Sequence, residues 1–110
     1  MKKQILTMLA CCVCTVAQAQ FWTGNRLLEE IVDDEAVSNG LALGFVMGVT
    51  DANGGSNHCP PKNVTSGQVM DMVKEMLVDI PEIRHLPAAA IVEYKLNKVW
   101  PCANSKGKQS

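Results

Sequence analysis

At 110 residues, with 47% hydrophobic residues and 10 basic against 11 acidic side chains, the chain has the size of one small domain and the charge balance of neither a nucleic-acid nor an anionic-membrane binder. Its longest apolar run, Ile5 to Val16, is too short to cross a bilayer, and no later stretch is longer.

The first 20 residues place Lys2 and Lys3 before that run and Ala17-Gln18-Ala19 after it. This charged, apolar and small-residue layout is that of a cleaved secretory signal. Residues 1–19 are therefore predicted to be removed, which leaves a single domain over 20–110 in an exported, periplasmic protein. A lipoprotein signal ending at Cys11 is the competing reading, but it leaves a very short apolar core and ignores the Ala-x-Ala site. Cleavage removes Cys11, Cys12 and Cys14, so an even pair remains, Cys59 and Cys102, and an exported chain most often joins such a pair in a disulfide. It also removes two lysines, which takes the mature part to a net charge of about −3.

The mature part reads as all-α, a small bundle of about four helices closed by that disulfide. Thr23 can cap a first helix with Leu27, Leu28, Ile31 and Val32 at helical spacing. A second helix is predicted from about Glu35 to Thr50, with Val37, Leu41, Phe45 and Val49 as its apolar stripe. Gly40, Gly44 and Gly48 also recur every four residues there. Each costs about 1 kcal/mol in a helix interior, so the stripe predicts close approach of another helix, either within the chain or across a homodimer seam.

Asp51 to Asn63 follows as a long loop, with its glycine pair, three asparagines and proline pair. Thr65 and Gln68 then form a capping box opening a third helix, with Val69, Met72, Val73, Met76, Leu77 and Ile80 inward and Pro81 as its stop. Asn63-Val64-Thr65 also fits a glycosylation sequon; its use as the turn into the capping box is preferred. Pro81 to Pro87 is a second connection. A last helix carries Ala88, Ile91, Val92, Leu96, Val99 and Trp100 inward and stops at Pro101.

Chemistry is sparse. The two histidines, His58 and His85, have no nucleophile or base partner at a telling spacing, and the chain has no Gly-x-Ser-x-Gly, His-Glu-x-x-His or phosphate-loop motif. A reactive thiol at Cys59 beside His58 conflicts with an oxidising compartment, and the adjacent His58-Cys59 lacks zinc-ligand spacing. No enzyme activity, cofactor or metal is expected. A binding protein would present its contacts on the two connections.

Thr23-Gly24-Asn25-Arg26-Leu27-Leu28, the run Gly44 to Ala52, His58-Cys59-Pro60-Pro61, Val64 to Gln68, Pro81 to Ala89 and Trp100-Pro101-Cys102 together resemble, in order and spacing, the Rap/Tai family of immunity proteins associated with type VI secretion. The resemblance implies a small helical periplasmic protein, usually dimeric, that binds a peptidoglycan-cleaving amidase effector and blocks its active site. It departs from a common pattern of that family by lacking a second cysteine pair, since Leu28-Glu29-Glu30-Ile31 and Leu41-Ala42-Leu43 contain none. The expected effector contacts are Asp51, Asn53, Asn57, His58 and Lys62 on the first loop, which is the better candidate, and Glu82, Arg84 and His85 on the second, where a structural role in starting the last helix competes with a binding role. The alternative is a small periplasmic acid-stress chaperone of the HdeA type. It is disfavoured because that mechanism calls for denser charge.

Overall fold

The computed structural model describes residues 21–103; the predicted signal over residues 1–19 lies outside this range. Four α-helices follow one another: α1 (Gly24–Val32), α2 (Ala36–Asn53), α3 (Ser66–Asp79) and α4 (Ala88–Val99), with a 3-10 turn at Pro81–Ile83 between the last two. There is no strand among the described residues, only isolated bridges between Thr23 and Pro87 and between Gly54 and His58. The all-α bundle and the Cys59–Cys102 disulfide read from the sequence are both present.

Local chemistry sets most helix ends. Thr23 Oγ1 accepts from the Arg26 amide at 3.3 Å, which satisfies one of the free N–H groups at the start of α1. The joint to α2 is built on Asp33, whose carboxylate accepts from the Glu35 amide and the Ser38 hydroxyl, both at 3.0 Å. These two bonds, the Glu35 amide first, hold the Asp33 carboxyl below its ordinary value. Asn39 donates from above to the carbonyls of Asp33 and Glu30, at 2.7 and 3.2 Å, and so ties α2 to the end of α1. At the start of α3 the Thr65–Gln68 capping box is complete. The Pro81–Pro87 connection is less irregular than expected, since Pro81–Ile83 forms a helical turn.

The core is an aliphatic cluster of Leu27 on α1, Ala42 and Val46 on α2, Val69, Val73 and Leu77 on α3, and Ala88, Ile91, Val92 and Leu96 on α4. Full burial of each larger member contributes about 1.5–3 kcal/mol. Trp22 stacks on Phe45 with ring centroids 5.1 Å apart and covers one edge. Gly24 is the position where a missing side chain matters most. A Cβ there would lie 2.6 Å from Ile91 Cδ1 and 3.0 Å from the Arg84 backbone. This lets the Gly24 and Asn25 amides donate to the carbonyls of Leu86 (2.9 Å) and Arg84 (2.8 Å).

Helix α2 departs from expectation in three ways. It runs on through Asp51 to Asn53 and ends at Gly54, because nothing before the Gly54-Gly55 pair breaks it; of that pair, Gly55 takes a positive φ, +89°. Its buried stripe is Ala42, Val46 and Thr50, whereas Val37 and Leu41, expected inside, are 74% and 51% exposed. And among the described residues the glycines pack against no other helix: a Cβ on Gly40, Gly44 or Gly48 would meet nothing within 4 Å. With apolar or small residues on nearly every side, the four-residue repeat could not tell which face turns inward.

Candidate partner-binding surface

Between α2 and α3 the chain from Gly54 to Val64 is anchored at several points. Its first turn is closed by Gly55, whose amide donates to the His58 carbonyl at 2.8 Å, and by the Asn53 carbonyl, which accepts from the Ser56 and Asn57 amides at 3.2 and 3.0 Å. The Asn57 carbonyl accepts from the side-chain amide of Asn97 on α4. The Cys59 amide donates to the Trp100 carbonyl at 2.8 Å, beside the Cys59–Cys102 bond. Cys59 is therefore no free thiol.

His58 is fully buried, not displayed on the loop. Its Nε2 lies 2.9 Å from the Thr50 carbonyl oxygen and its Nδ1 lies 3.3 Å from Glu93 Oε2. The second carboxylate oxygen of Glu93 is buried without a partner. Among the described residues no three His, Cys, Asp or Glu side chains gather as metal ligands would.

Arg84 likewise turns inward. Its Nε donates to the Leu77 carbonyl at 2.5 Å and its Nη2 to the Val78 carbonyl at 3.2 Å. These are free carbonyls at the end of α3, where a cation is favoured. The sequence places both His58 and Arg84 among the contacts; the structure gives both of them bonds inside the fold. Asn53 is half-buried in the last turn of α2, and Asp51 is exposed two residues before it. Asn57, Lys62, Glu82 and His85 are exposed.

Helix α4 joins the two connections into one surface. On one side of Ala90 and Tyr94 a polar depression of about 440 Å³ holds Ser56, Asn57, Glu93 and Asn97. On the other side an apolar groove of about 400 Å³ is lined by Met76, Ile80, Ile83, Leu86 and Ile91. Tyr94, 56% exposed, borders both. Neither Tyr94 nor Leu86 stands out by sequence reasoning. The available signal is an aromatic residue on the polar face of an amphipathic helix, two positions past the buried Val92.

No curated protein matches the chain. Residues 23–102 match the Rap1a immunity proteins, a stretch that runs from the α1 cap to the second disulfide cysteine. The chain belongs to the Rap1a immunity protein family.

Proposed function

We propose that the protein is an immunity protein which binds a peptidoglycan-cleaving amidase delivered by type VI secretion and blocks its active site. The observation that carries this reading is the anchoring of the Gly54–Val64 loop beside Tyr94 and the apolar groove. A loop already fixed before binding loses little entropy on entering a cleft, and an exposed tyrosine next to a groove is the residue type that dominates interface energies. Inhibition needs no catalytic group, only exclusion of water or substrate. The contact set under this reading is Asp51, Asn57, Lys62, Glu82 and His85, with Tyr94 and Leu86 added.

Export to the periplasm through a leader cleaved after Ala19 is part of the same reading, since a disulfide needs an oxidising compartment. A homodimer is its last part. Val37, Leu41 and the three glycines of α2 form an exposed face on which a second copy could pack closely.

The test is co-purification of the mature, oxidised protein with a panel of peptidoglycan amidases, scoring complex formation and loss of muropeptide cleavage. A stable, inhibited complex that weakens on Tyr94→Ala is the expected result. Complexes with none of a broad panel, and no inhibition, would sink the amidase reading and make protection against acid aggregation the next assay.

A further inference from the structure

His58 poses a problem of proton count. Its Nε2 faces the Thr50 carbonyl, which only accepts, so Nε2 must carry a hydrogen. Its Nδ1 faces a Glu93 oxygen, and an ionised carboxylate also only accepts. A neutral imidazole has a single N–H and leaves one of these contacts as two facing lone pairs. The cluster closes with one further proton, which makes the ring an imidazolium against the carboxylate. The same proton held by Glu93 and donated to Nδ1 gives the same count.

We infer that His58 and Glu93 are positioning residues that latch the Gly54–Cys59 segment against α2 and α4 through this retained proton. The disulfide fixes the segment at Cys59, and the ring fixes what precedes it by bridging the Thr50 carbonyl to a side chain 35 residues away. Ser56 and Asn57, two exposed residues of the polar depression, ride on that fixed stretch. The buried, unpartnered oxygen of Glu93 points the same way, because a carboxylate so enclosed needs an adjoining positive charge.

The charged surroundings set the direction of the pH effect. From α4 the ring meets Glu93, while Lys95 and Lys98 of that helix line a different groove, opposite Glu75 and Asp79. From α2 it meets the Thr50 carbonyl, and the adjacent Asp51 is exposed. Tyr94 is exposed at the rim, and the bonded cysteines do not titrate. The latch is engaged while the cluster keeps that proton, and it weakens as a rising pH removes it.

The experiment follows the His58 ring by ¹⁵N NMR and the Gly55 and Asn57 amides by hydrogen exchange in the mature, oxidised protein, from about pH 5 to about pH 9. Protection is corrected for the intrinsic pH dependence of exchange. The expected result is a ring protonated at both nitrogens, or sharing its proton with Glu93, at neutral pH. Protection of the two amides should then fall on the order of tenfold as that proton leaves. Glu93→Gln can donate its amide to an unprotonated Nδ1, so it should keep the segment protected and abolish the pH step, a result that a purely steric role would not give. A neutral ring throughout the range with unchanged protection overturns the proposal, as does a wild-type pH step in Glu93→Gln. The wild-type spectra decide the matter even where a variant does not fold. The use of the latch in partner binding rests on the immunity reading, but no partner is needed here, so the two can fail separately.

Discussion

The two connections of the bundle carry similar sequence-level promise and are held by different means. Gly54 to Val64 is fastened to α4 and the segment just after it by side chains and a covalent bond: the disulfide to Cys102, His58 against Glu93, and the Asn97 amide on the Asn57 carbonyl. Pro81 to Pro87 is fastened largely by main chain, with its carbonyls accepting from the Gly24 and Asn25 amides and with the Ala88 amide donating to the Trp22 carbonyl at 2.8 Å. Arg84 is the side-chain exception. In each connection the most conspicuous residue serves the fold, and its plainer neighbours face solvent. The first connection is thus open to control by oxidation and protons. The second answers mainly to the start of α1.

The sharpest way to break this contrast is to remove the covalent tie. Replacing both Cys59 and Cys102 by alanine opens a loop with a sequence separation of 43, worth about 4 kcal/mol on the chain-entropy estimate. That is a large part of the stability of so small a domain. Urea denaturation of the variant should show this loss, and exchange protection should fall more at Asn57 than at Leu86. A loss below about 1 kcal/mol would mean that side chains alone hold the first connection.

Next in size is Arg84→Ala, which leaves the Leu77 and Val78 carbonyls without their charged donor. A loss of about 1.5–3 kcal/mol is expected in the same denaturation assay. Arg84→Lys should recover only part of it, because an ammonium cannot reproduce the fork that spans two carbonyls. If Arg84→Ala left stability intact and weakened inhibition of a cognate amidase, Arg84 would return to the contact set.

What could be read in advance was chemistry acting over a few residues. The Thr23 cap, the Thr65–Gln68 box, the stop at Pro81 and the inward faces of α3 and α4 are local signals, and all are present except at Val99, which was expected inside and is 41% exposed in the last turn of α4. The disulfide followed from the cysteine count that the predicted signal cleavage leaves. His58 escaped because a histidine among glycines and asparagines has no local reason to be buried; Glu93, far along the chain, supplies it. Arg84 escaped for a similar reason, since its acceptors are main-chain carbonyls that no side-chain pattern marks. Helix α2 escaped through its own composition. Its small and apolar residues recur on several faces at once, and only packing on the other three helices selects Ala42, Val46 and Thr50 as the buried set.

The smallest predicted effect bears on that helix and is a gain. Gly44 is exposed and has open space where a Cβ would be, so Gly44→Ala removes a helix-interior glycine without a clash. The isolated chain should gain about 1 kcal/mol, measured by denaturation at a concentration low enough to keep it monomeric. If a second copy closes on the same stripe, the added methyl holds the two helices apart, and association weakens while the monomer strengthens. Sedimentation beside denaturation separates these signs. Stability and association moving in opposite directions would make α2 the dimer seam. A gain in stability with unchanged association would leave the glycines without that role, and Val37 and Leu41 would then be the residues whose exposure needs another explanation.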